Sequence, residues 1–185
     1  MTEIVRATPF LMQVLRTVCA LGLPDWLVFS GAVYQPVLNQ LTGRAPDHGI
    51  KDYDLAYFDD TDLSYAAEDA VIRRVASCFD APLRKMVEVR NQARVHLWFE
   101  GKFREPYTAL SHTAQALERF TTTMFAVGVR LEADDRLHIE APFGLADLFA
   151  LRLRPNPLYP TGGFERSCIS VCRRWPELIV VQNHG

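Results

Sequence analysis

The sequence predicts a mixed α+β fold, a small mixed β-sheet flanked by helices, and three observations carry that expectation. Helix-spaced apolar stretches alternate along the chain with short apolar runs of strand length. Turn residues separate neighbouring strand runs closely enough for hairpins. No internal repeat, low-complexity tract or linker interrupts the pattern. The 185 residues are therefore expected to form a single domain, with a core over about 24–140 and a helical part over about 141–185.

Residues 3–21 place Val5, Phe10, Leu11, Val14, Leu15 and Val18 at near-helical spacing, with Pro9 near a first turn. Gly22-Leu23-Pro24-Asp25 closes that helix, and residues 26–29 form an apolar strand. Ser30-Gly31-Ala32 is a small-residue turn into a helix over 32–41, whose first turn accommodates Pro36. A surface loop over 42–50 leads to the next strand. Asp62 or Ser64 caps a helix running to about residue 79, with Val71, Ile72, Val75 and Phe79 as its apolar stripe.

Pro82 ends that segment. Residues 86–90 and 94–99 then alternate as two strands of a hairpin around Asn91-Gln92. A charged loop covers 101–106 and a short helix 113–120. Residues 124–131 and 137–139 form a second strand pair around Asp134-Asp135. Ala141-Pro142-Phe143-Gly144 opens a helix over about 145–153, Arg154-Pro155-Asn156-Pro157 breaks it, and 163–175 is a last helix before an apolar end.

The net charge of −2 and pI near 6.2 give no general attraction to nucleic acid. Of the 20 basic residues only three are lysines, and the arginines are scattered, which leaves room for a local phosphate-facing group but not a DNA-tracking surface. The longest apolar runs, such as 145–151, fall short of a membrane span. The N-terminus lacks the pattern of a secretory signal. Cys19, Cys78, Cys168 and Cys172 are too few and too unevenly spaced for a disulfide framework, so reduced thiols and a cytoplasmic location are expected.

Chemistry is concentrated in Lys51-Asp52-Tyr53-Asp54-Leu55-Ala56-Tyr57-Phe58-Asp59. On a strand Asp52 and Asp54 share one face while Tyr53 and Leu55 take the other. Twin carboxylates repel unless a cation lies between them, and an oxygen-preferring divalent ion such as Mg²⁺ suits a phosphate co-ligand. The alternative is a solvated edge strand, since Asp59, Asp60 and Asp62 follow. A calcium loop of the EF-hand type is excluded, because Ala56 and Tyr57 stand where it needs an oxygen ligand and a glycine. About 20 residues upstream, the Ser30-Gly31-Ala32 turn opens a helix whose free N–H groups can hold phosphate.

The strand–Gly31–Ala32–helix unit followed by Asp52-x-Asp54 resembles the polymerase-β-like nucleotidyltransferase superfamily, and the whole chain looks like a bacterial branch of it. The closer likeness is carried by Asp52 to Asp59, by Val89-Arg90-Asn91-Gln92-Ala93-Arg94-Val95-His96-Leu97-Trp98, and by Ala141-Pro142-Phe143-Gly144-Leu145-Ala146-Asp147-Leu148-Phe149. Arg154-Pro155-Asn156 and Arg174-Trp175-Pro176-Glu177-Leu178 extend it. The resemblance implies a helix-backed sheet with a cleft on its other side. It also implies transfer of a nucleoside monophosphate from an NTP to a small-molecule or protein acceptor, dependent on Mg²⁺ or Mn²⁺, with no membrane or long nucleic acid as partner. Gly31 falls on the phosphate-turn glycine, with Ser30 and Ala32 beside it, and Asp52 and Asp54 fall on the metal pair. Ala32 stands where a serine or second glycine is common. The third carboxylate is Glu88, flanked by Val87 and Val89, or else Glu100. Lys51, with Lys102 or Arg104, would meet phosphate oxygens.

The remaining candidates have plainer readings. His96 reads as a hydrogen-bonded core or cleft histidine. Cys168 and Cys172, i and i+4 on one helix face, lack the further ligands a zinc site needs. Asp147 caps its helix or pairs with Arg152 or Arg154. Thr121-Thr122-Thr123 is β-prone sequence whose hydroxyls would suit an acceptor site. The competing function is an inactive nucleotide-sensing or partner-binding module on the same fold.

Overall fold

The computed structural model describes residues 1–159 and 163–181. The first helical stretch is two helices, α1 (Thr2–Arg6) and α2 (Pro9–Leu21), because Thr8 before the proline is extended at φ −104° and ψ 97°. Gly22, left-handed at φ 62°, ends α2. Strand β1 (Leu27–Phe29) passes through Ser30 into α3 (Gly31–Leu41). Pro36 is not in the first turn of α3 but inside the helix, so the Ala32 carbonyl loses its i+4 donor.

Strand β2 (Tyr53–Tyr57) follows, and then α4 (Tyr65–Ser77), where the Ser64 hydroxyl accepts from the Ala67 N–H at 3.2 Å. The short α5 (Leu83–Met86) leads into β3 (Val87–Asn91). The hairpin expected around Asn91-Gln92 does not form. Residues Gln92–Leu97 coil into a 3₁₀ helix, followed by α6 (Phe99–Phe103). The cause is a polar knot: the Asn91 side chain accepts from the Ala93 N–H at 3.1 Å and donates to the Asp59 carbonyl at 2.7 Å. Arg94 turns inward to pair with Glu68 of α4, and Glu68 also accepts from the Asn91 N–H at 2.9 Å. With Arg94 held inward, the alternation read as strand becomes the faces of a tight helix.

Residues Thr113–Arg119 and Thr123–Phe125 are 3₁₀ turns rather than a helix and the start of a strand. The strand expected from residue 124 begins only at Gly128, as β4 (Gly128–Leu131), and pairs antiparallel with β5 (Leu137–Glu140). The helix expected over about 145–153 is the single turn α7 (Ala146–Phe149). Leu151, at φ 55°, reverses the chain into β6 (Arg152–Leu153), which pairs parallel with β7 (Ile179–Val180). Asp147 does not cap α7; it accepts from Arg154 at 3.0 Å and from the Thr123 hydroxyl at 2.9 Å. Helix α8 (Gly163–Cys172) precedes β7.

The main sheet has the order β3-β2-β1-β4-β5, with β2 and β3 parallel and the other neighbours antiparallel. Val28, Tyr53, Leu55, Val89 and Val129 face one way and join the apolar faces of α2 and α3 in the main core. Leu27 and Phe29 face the other way, against Leu117 and Ala126. The fully buried Trp175 donates to Asn39 of α3 at 2.9 Å, and the Asn39 amide holds the carbonyls of Pro46 and His48. Gly49, at φ 78°, is required beside that indole: a Cβ there would lie 2.8 Å from the ring.

Two stability predictions follow from these contacts. Arg94→Met leaves Glu68 buried and unpaired, and urea unfolding at pH 7 should show a loss of about 3 kcal/mol or more. Ser30 sits at φ 64° and ψ −139°, a conformation that suits glycine. Ser30→Gly should therefore be more stable than Ser30→Ala by about 1 kcal/mol, and equal midpoints would contradict strain at this turn.

Candidate active site

Register assembles the acidic face. In the β1–β2 ladder Phe29 lies opposite Asp54, and in the β2–β3 ladder Asp54 lies beside Glu88. Alternation then turns Phe29, Asp54 and Glu88 away from the main core, onto the sheet face that the helices leave open. Asp54 and Glu88 line a cavity of about 220 Å³ walled largely by aromatic side chains. Asp52, half-buried just before β2, adds its charge to the same neighbourhood.

Electrostatics mark this face as short of positive charge. Burial, then the charges of Asp52 and Glu88, push the Asp54 carboxyl up to about 6, against the opposing pull of the Ser30 hydroxyl and Arg90. The Glu88 carboxylate instead lies 3.7 Å from Arg90. Among the described residues, no three or more His, Cys, Asp or Glu side chains are grouped to hold a metal ion, so these carboxylates do not converge on one point. Glu100 lies exposed on α6 and lines neither the acidic cavity nor its neighbour.

The turn residues divide their roles. Ser30 carries the positive φ and lines the neighbouring cavity. Gly31 has ordinary helical geometry and is buried; its bare Cα makes room for the Gln35 amide, 2.7 Å from where a Cβ would stand. Ala32 is buried in the core. Lys51 is exposed and lines neither cavity. Lys102 stacks over Trp98 at 5.6 Å in a different hollow, and Arg104 is exposed at a left-handed helix end.

Beyond Ser30 opens a second cavity of about 500 Å³, into which Arg119, Arg166 and Arg174 converge with Ser30, Thr121 and Ser170. Among the described residues none of these arginines has a carboxylate within ion-pair distance. Arg174 donates to the Gly49 carbonyl at 3.1 Å, and Arg119 lies 4.0 Å over the Tyr159 ring. Thr121 donates to the Ser167 hydroxyl at 3.1 Å. Sequence reading missed these arginines as site residues. The one signal was the excess of arginine over lysine; the positions are 47 and 8 residues apart along the chain, and only the fold joins them.

The other candidates are structural. Cys168 is buried and Cys172 half-buried, both as free thiols, and burial pushes Cys168 up to about 11. His96 lies half-buried in the 3₁₀ turn after β3. Thr122 and Thr123 are buried, and of the three threonines Thr121 lines the second cavity.

A family model matches the sequence, and a solved structure matches the fold. An NMR structure described as revealing a CCA-adding enzyme head domain superposes with a TM-score of 0.75 at 23% identity, covering 98% of this chain and 94% of that one, and the likeness establishes the shared fold. No protein of curated function matches in sequence. No helix among the described residues is long and apolar enough to cross a membrane. A family model described as nucleotidyltransferase matches residues 16–180, most of the chain and all of the acidic face, and the chain belongs to that nucleotidyltransferase family.

Proposed function

We propose that this protein transfers a nucleoside monophosphate from an NTP to the hydroxyl of an acceptor, with Asp52, Asp54 and Glu88 at the reacting centre. The observation that carries the reading is the join at the β1–α3 turn. Ser30 faces a cavity with three arginines that have no carboxylate partner among the described residues, while its hydroxyl pulls on Asp54, which lines the acidic cavity next door. A triphosphate carries several negative charges, and guanidinium groups meet phosphate oxygens in paired hydrogen bonds. The arginine cavity therefore takes the phosphates, helped by the Ser30 hydroxyl and the free N–H groups at the start of α3.

The residue types suit a hard divalent cation: carboxylates, with no cysteine or histidine among the described residues lining the cavity, and an Asp54 carboxyl raised by burial and then by its like-charged neighbours. Asp52 and Asp54 would hold Mg²⁺ or Mn²⁺, and Glu88 would complete the set once it leaves Arg90. When bound, the ion supplies charge neutralisation on the phosphates and a more acidic acceptor hydroxyl. The chain's own groups do the rest. Arg119, Arg166 and Arg174 orient the phosphates. The acceptor oxygen bonds to the α-phosphorus, the bond to the bridging oxygen breaks, and pyrophosphate leaves with that electron pair. The acceptor proton passes to a carboxylate of the acidic face.

Heat stabilisation by an NTP with Mg²⁺ or Mn²⁺ tests the binding half, because a ligand that binds the folded state raises its midpoint. Arg174→Ala and Arg166→Ala should each weaken that response by about tenfold, as expected for a lost charge-assisted contact. Asp54→Asn should abolish pyrophosphate release; unchanged release would overturn the assignment.

The raised carboxyl also predicts a pH signature without metal. Asp54 favours the folded state when protonated, so its contribution is whole below the ordinary value of 3.8 and is lost as pH rises through about 6. In chelator-treated protein Asp54→Asn should be more stable than the wild type at pH 8, by roughly 1–2 kcal/mol. The two should coincide below about pH 4. A variant less stable than wild type at pH 8 would contradict the crowding of charge on this face.

A further inference from the structure

We propose that the cavity over Asp54 and Glu88 is the acceptor chamber, and that it takes an uncharged, ring-bearing alcohol. This rests on the transferase reading above and extends it to the second substrate. The chamber adjoins the arginine cavity, with Arg119 and Phe120 lining both, so acceptor and phosphates would lie on neighbouring sides of those two residues. Its floor carries the two carboxylates that lie side by side in the sheet.

The walls decide the chemistry. Phe29 meets Phe120 edge to face at 5.5 Å, and on the other side Phe99 packs at 4.5 Å from Tyr107, with Trp98 tilted 6.1 Å from Phe99. Two groups of aromatic rings enclosing a small space favour a flat ring, which gains edge and face contacts from both. At about 220 Å³ the chamber is smaller than most drug-sized sites, which run from roughly 300 to 1,000 Å³, so the group it holds is compact.

Charge narrows the class further. On the walls Asp54 and Glu88 are set against Arg90 and Arg119, which leaves no net charge there to draw a polycationic or an anionic acceptor. The uncharged polar groups on the walls are Gln92, the Tyr107 hydroxyl and the Trp98 indole N–H, few for the many hydroxyls of a polyhydroxylated sugar, whose unpaired groups would each cost binding. A ring carrying one hydroxyl fits: the ring fills the aromatic space and the hydroxyl points to the carboxylates beside the phosphate site.

Trp98 gives a readout independent of catalysis. It lines the chamber half-exposed, whereas Trp26 and Trp175 are buried in the core. Titrating the full chain with 2-phenylethanol should change Trp98 fluorescence saturably, glycerol at the same concentrations should not, and Trp98→Phe should lose the signal. Ala116 lies on the chamber wall, so Ala116→Phe fills the space and should weaken 2-phenylethanol at least about tenfold while the heat stabilisation by Mg²⁺ and NTP persists. If Ala116→Phe does not fold, Phe99→Leu should weaken the ring ligand several-fold with the nucleotide response intact. Nucleotide stabilisation without saturable 2-phenylethanol binding overturns the acceptor chamber. Ring binding with no nucleotide response overturns the transferase reading on which the acceptor role stands.

Discussion

The parallel register of β3 on β2 brings Glu88 beside Asp54, and the acidic face exists because that register holds. A slip of one residue would turn Glu88 into the core and Val87 or Val89 out toward the cleft. The crossover between the two strands is long and includes α4, so something must fix where β3 ends. Glu68 of α4 does this by accepting the Asn91 N–H and pairing with Arg94, while Asn91 binds the backbone of Asp59 in both directions. A buried ion pair adds little net stability over apolar packing, but leaving one partner alone is costly, which makes such a pair suited to fixing a single register.

The second constraint is a separation of charge. The carboxylates line the cavity on one side of the β1–α3 turn, Arg166 and Arg174 line the cavity beyond the strained Ser30, and Arg119 lies on both. Either group alone would be an ordinary patch of surface. Side by side, they form a surface that an ion and a polyphosphate would neutralise together. Burial first, and then the charges of Asp52 and Glu88, raise the Asp54 carboxyl, so the acidic half holds its charge at a cost.

The local parts of this arrangement were legible in the sequence. The apolar strand, the small-residue turn, the helix after it and the acid-x-acid strand each depend on neighbours a few residues away, and each formed. So did the Ser64 cap and the Asp134-Asp135 turn. Parts that depend on distant partners were not legible. Residues 94–99 alternate like a strand, but Gln92–Leu97 coil into a 3₁₀ helix, and the contact that holds Arg94 inward is with Glu68, in a different helix. Residues 145–153 read as one helix, yet Asp147 serves Arg154 and Thr123, and the chain leaves to pair with β7. Gly31 falls on the phosphate-turn glycine, although the backbone takes its positive φ at Ser30 instead. Arg119, Arg166 and Arg174 were invisible as a group because nothing in their spacing joins them.

The most direct test of the account is a crystal structure with Mn²⁺ and a triphosphate whose α–β bridge cannot be cleaved, read by the anomalous signal of manganese. The account predicts manganese on the Asp52 and Asp54 carboxylates, with the phosphates held by Ser30 and the three arginines. Manganese and triphosphate bound elsewhere, with Asp54 left facing an empty cleft, would contradict it.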